Sequence, residues 1–172
     1  MPKELSKQDV RRNPLAVWVG KALLFGQGHK TLVGVILVGA LVAGAAAGAG
    51  LCLLGRDPKT LDDLAKSVRG LTDKVLACPV DLTSDISVAE AAERVRCEAG
   101  RVDVLVHSAG VFEMAPHENA PLADLDRQYQ TNVRGPYLLT QALLPQLRAC
   151  RGQIVFVNST VGLEARAGVG QY

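Results

Sequence analysis

Aromatic side chains are scarce in this chain of 172 residues: Phe, Trp and Tyr together make up 4%. Ala, Val, Leu and Gly take their place, a mixture that suits a buried parallel sheet under helices better than an aromatic-rich β-sandwich. Cysteine is thinly spread. Cys52, Cys78, Cys97 and Cys150 form no Cys-x-x-Cys pair, so they read as small buried hydrophobes of a reducing compartment, and a disulfide miniprotein is excluded. Charge of one sign is also missing: a net charge of +2 makes no electrostatic case for nucleic acid. His29 and His117 have no partner spacing for a metal, no zinc or EF-hand pattern is present, and no metal is expected. No secretory signal is evident, because the apolar run starts near residue 31 behind a charged tail and no small-residue cleavage site follows. Hydrophobic residues at 48% and charged ones at 21% exclude a disordered chain, and the length indicates one domain with its own core.

What is present is distributed unevenly. Residues 1–30 carry a charge of +4, residues 31–55 none, and the remainder −2. The basic excess therefore belongs to an N-terminal extension, residues 1–30. Its apolar-basic mixture suits an amphipathic helix on a membrane surface or on the domain, and suits a disordered extension equally.

From Asp57 onward helix and strand patterns alternate. Asp57-Pro58 opens a helix in which Leu61, Leu64, Ala65 and Val68 recur at helical spacing and Gly70 closes it. Lys74–Val80 has strand length. Ser84 caps a second helix with Val88, Ala91, Ala92 and Val95, ended by Gly100. Val102–His107 and Gln153–Asn158 are further strands, with helical pattern between about Leu122 and Ala149. Non-alternating apolar strands separated by amphipathic helices predict an α/β fold, a parallel sheet built from βαβ units. Ligands of such sheets bind at the carboxyl ends of the strands. Gly55, Arg56, Asp57, Asp81, Leu82, His107 to Gly110, Ser159 and Thr160 stand there.

Thr31–Gly55 admits two readings. As part of a domain over residues 31–172, Val35–Val38 forms a first strand, Gly39 starts a phosphate-binding turn, residues 40–49 form a buried helix, and Leu51–Leu54 form a second strand. Alternatively, the 25 uncharged residues form a transmembrane helix, with Gly44 and Gly48 as a packing motif. Six glycines in the stretch favour the first reading, which makes the protein cytoplasmic; the second makes it membrane-associated.

From Leu53 to Tyr172 the chain resembles the short-chain dehydrogenase/reductases, and several motifs carry the resemblance. Asp81-Leu82 looks like the family's acidic residue at the adenine ring. His107-Ser108-Ala109-Gly110 looks like its Asn-Asn-Ala-Gly strand end. Asn132, Ser159 and Tyr172 look like its catalytic Asn, Ser and Tyr. The intervals from 81 to 107, 132, 159 and 172 are 26, 25, 27 and 13, as in the family. The resemblance implies a Rossmann-like parallel sheet with helices on both faces, incomplete at the C-terminus in this chain, and hydride transfer between a nicotinamide cofactor and an alcohol or ketone, in a homo-oligomer. Tyr172 would pass the proton, Ser159 would donate a hydrogen bond to the substrate oxygen, and Asn132 would hold a relay water. Arg56 suits the 2′-phosphate of NADP, with NAD the alternative because Asp57 follows it.

Three departures accompany the resemblance. Gly39 opens the family's glycine-rich loop, but Ala43 and Ala45 stand where its later glycines belong. The family's Lys, four residues past the Tyr, would fall beyond residue 172, so the chain as given is expected to turn over little or not at all. The competing reading is a non-catalytic or membrane-anchored binding module. His107 replaces an Asn and is expected to hydrogen-bond backbone. Leu138, Leu139, Leu143 and Leu144 are expected in the core or on a dimer face.

Overall fold

In a computed structural model, residues 50–70, 72–159 and 167–172 are described. Strand β1 (Leu51–Gly55) leads into helix α1 (Pro58–Val68), strand β2 (Val75–Pro79), helix α2 (Asp85–Glu98) and strand β3 (Val104–His107). After a single 3₁₀ turn at His117–Asn119, helix α3 (Leu122–Tyr129) continues through a π-turn (Gln130–Arg134) into α4 (Gly135–Cys150), and strand β4 (Gln153–Phe156) follows.

The strands pair in parallel, β1 with β2 and β3 with β4. In a doubly wound order the first strand lies between two such pairs. The expected first strand, Val35–Val38, lies outside the described residues, as do Gly39 and the N-terminal extension. Alternation along β1 divides its side chains between two layers. Leu51 and Leu53 pack with Leu61, Ala65 and Val68 of α1. Cys52 and Leu54 face the other way, onto the larger core that α2 and α4 build from Val88, Ala91, Val95, Leu139, Leu143 and Leu147. Helices thus cover both faces, as the apolar, non-alternating strands predict.

Local chemistry sets the element ends. Asp57 caps α1 by accepting from the Lys59 N–H at 3.0 Å, and Pro58 takes the first turn. Ser84 caps α2, accepting from the Ser87 N–H at 3.3 Å. Gly100, at φ +72°, lets the chain leave α2 in the left-handed region. Pro79, which cannot donate to a ladder, ends β2 on the side away from further strands among the described residues.

Several expectations are corrected. A transmembrane helix over all of 31–55 does not form: Leu51–Gly55 is a strand whose backbone pairs with Val75–Pro79. Among the described residues, no helix is long and apolar enough to cross a membrane. Cys78 is buried and Cys52 and Cys150 half-buried, but Cys97 is exposed on α2 beside Glu93. Burial pushes the Cys52 thiol up to about 12. Leu139 and Leu143 are core and Leu138 packs against it, within the expectation, and the α3–α4 helix also carries an exposed apolar stripe, Leu125, Tyr129, Val133 and Tyr137.

Candidate active site

The ends of β1 and β2 bring Arg56 and Asp81 together. Val80 donates its N–H to the Gly55 carbonyl at 2.9 Å, extending the ladder to the point where both side chains emerge into solvent. The Asp81 carboxylate accepts from the Thr83 N–H at 2.9 Å and from the Thr83 hydroxyl at 2.8 Å. These bonds, with a smaller contribution from the Arg56 charge, hold its pKa below the usual carboxylate range. Asp57 is committed elsewhere: the Thr60 hydroxyl and the Lys59 N–H hold its carboxylate at the start of α1, and both lower its pKa. Leu82 is buried in the core. A Cβ on Gly135 would collide with the Leu82 carbonyl oxygen, so α4 starts directly on this turn.

The end of β3 builds the second half of the site. The His107 side chain turns inward, with Nε2 2.8 Å from the Thr140 hydroxyl and its ring stacked on Phe156 at 4.8 Å. Its partner is therefore a side-chain hydroxyl and not backbone, because β3 packs directly on α4. Burial pushes its pKa down. The exposed Ser108, Ala109 and Gly110 follow. Asn132, in the π-turn, accepts from the Val111 N–H and donates to the Val111 carbonyl, both at 2.8 Å. Gly110 fits beside it, since a Cβ there would lie 3.2 Å from Asn132 Oδ1. Placing an amide in a π-turn re-aims it relative to the helix on either side, a recurring device at functional sites.

Tyr172 reaches the same loop. Its ring meets Phe112 edge to face at 4.8 Å, and Ala115 donates its N–H to the Gly168 carbonyl at 3.0 Å. Asn132 and Tyr172 are thus tied to neighbouring residues of one segment. Ser159, half-buried, stands just past β4, which the bond from the Val157 N–H to the His107 carbonyl aligns with the end of β3. Residues 160–166, between Ser159 and Tyr172, lie outside the described residues. Among those described, no group of three or more His, Cys, Asp or Glu could hold a metal. Phe112, Gln128 and Thr140 escape sequence reasoning, because each acts through a partner distant in the chain; only the amide spacing of Gln128 and Asn132 offers a signal.

The comparisons agree with this geometry. A family model described as short chain dehydrogenase matches residues 38–172. Human (Homo sapiens) retinol dehydrogenase 8 is 34% identical over 142 residues, covering 72% of this chain and 45% of its own length. The 3-oxoacyl-(acyl-carrier-protein) reductase FabG of Thermotoga maritima is 32% identical over 115 residues, covering 66% and 47%. A solved short-chain dehydrogenase from Streptomyces avermitilis superposes with a TM-score of 0.68 at 33% identity, covering 78% of this chain and 50% of that one. The chain belongs to the short-chain dehydrogenase/reductase family of oxidoreductases, which use NAD(P). It spans about half the length of the curated relatives it matches.

Proposed function

We propose that this chain forms the nucleotide-binding part of an NADP-preferring oxidoreductase that interconverts an alcohol and a ketone. The observation that carries the cofactor choice is the commitment of Asp57 to the α1 cap. An acidic residue at this place would accept the ribose 2′-hydroxyl of NAD. Here the carboxylate already holds two donors of its own helix, and the exposed Arg56 is the group left facing a 2′-phosphate. Asp81 and the backbone of Leu82 border the adenine end, and His107 to Gly110, through backbone at Ala109 and Gly110, border the middle of the cofactor. Gly39 would open the pyrophosphate turn. The bound cofactor supplies the hydride.

Tyr172 carries the proton to the substrate oxygen, and Ser159 donates a second hydrogen bond to it. A free Tyr hydroxyl has a pKa of about 10, so a cation beside it is required for work near neutrality. With both side-chain arms of Asn132 on Val111, its part in a proton relay falls to its backbone in the π-turn. The exposed stripe Leu125, Tyr129, Val133 and Tyr137 supports a homo-oligomer, and a small-molecule substrate in a cytoplasmic protein completes the reading.

Calorimetric titration of the 172-residue chain with NADPH and with NADH tests it. NADPH should bind more tightly, Arg56→Ala should erase the difference, and Asp57→Ala should leave it. Equal or tighter binding of NADH, or no heat with either from folded protein, would overturn the reading.

A further inference from the structure

Gln128 is almost wholly buried, at 2% exposure, yet the proposed chemistry gives it no part. It lies one helical turn before Asn132, and both amides reach the same segment after β3. Asn132 holds Val111 by two hydrogen bonds, and Gln128 Oε1 accepts from the Glu113 N–H at 3.2 Å. The two contacts flank Phe112 on either side in the chain, and the Phe112 ring meets Tyr172. The other arm of Gln128, Nε2, is buried with no partner among the described residues. An unpaired buried donor is unfavourable, so a residue kept here for packing alone would serve better as Met or Leu.

From these contacts we infer that Gln128 is a positioning residue: by holding Glu113 it sets the Phe112 ring against Tyr172. The inference rests on the reading of Tyr172 as the proton carrier, but its test does not depend on turnover. The chain has three tyrosines, so ring-labelled tyrosine gives three NMR signals, and Tyr172→Phe assigns the one of interest. Phe112→Ala should remove the ring-current shift of Tyr172. Gln128→Met should move the Tyr172 signal toward its position in Phe112→Ala while the Tyr137 signal stays. Gln128→Glu keeps an oxygen acceptor and should return the signal toward its original place. In the double variant F112A/Q128M, the second change should add nothing, which separates transmission through Phe112 from general loosening.

A Tyr172 signal unmoved in folded Gln128→Met, or a further displacement in the double variant, would overturn the inference. If Gln128→Met does not fold, Gln128→Glu decides: a signal displaced as far as in Phe112→Ala would overturn it. Loss of NADPH binding with these shifts intact would remove the proposed function and leave the positioning role standing.

Discussion

Replacing Gly135 by Ala should destabilise the protein even though Ala is the better helix former. In an open helix position the exchange would gain about 1 kcal/mol. Here the added Cβ would collide with the Leu82 carbonyl oxygen and lie 2.6 Å from the Leu82 Cβ and 3.1 Å from its carbonyl carbon. Non-bonded carbons prefer roughly 3.5–4.0 Å, so the start of α4 must retreat by about 1 Å. Two of the three atoms are backbone, which cannot swing aside as a side-chain tip would. Overpacking of this kind costs about 1–3 kcal/mol, and a clash with backbone belongs at the upper end. Setting about 3 against about 1 leaves a net loss near 2 kcal/mol. For a chain of this size that lowers Tm by roughly 4–8 °C. The same retreat shifts Leu82 and the adjoining Asp81, so NADPH affinity should fall as well. Thermal unfolding followed by circular dichroism measures the first effect and calorimetry the second. Gly70→Ala is the control, with nothing among the described residues within 4 Å of the added atom. A Gly135→Ala protein as stable as the parent would refute the close approach of α4 to Leu82.

Two further expectations concern single residues. Burial lowers the folded-state pKa of His107, so the unfolded chain takes up this proton first, and stability should fall as pH drops below the free value of about 6.5. Urea unfolding between pH 7 and 5 should show the decline, and His107→Asn should flatten it; an unchanged slope would assign the decline to other groups. Arg151 ends α4 at φ +53°, a conformation that costs a side chain roughly 1 kcal/mol or more. Arg151→Gly should therefore raise the urea midpoint slightly, and a lowered midpoint would show that the Arg side chain contributes more than its backbone strain costs.

The alternation of elements, the capping of α1 by Asp57 and of α2 by Ser84, and the family membership were all legible in the sequence. Those features rest on local rules: helical periodicity, short-range side-chain acceptors and motif intervals. Availability at the strand ends was not legible. Whether the Asp57 carboxylate stands open or is engaged by its own helix depended on the Thr60 hydroxyl reaching back to it. The partner of His107 lies 33 residues away and that of Asn132 21 residues away. Which leucines of α4 are core was decided by the faces that α2 and β3 present to it, and that left Leu125, Tyr129, Val133 and Tyr137 exposed. Sequence alone determined an α/β chain with its candidate site residues at the carboxyl ends of its strands, because periodicity and capping act between near neighbours. Only the tertiary structure decided which of those side chains remain available, because a buried polar group bonds to whatever folding brings beside it.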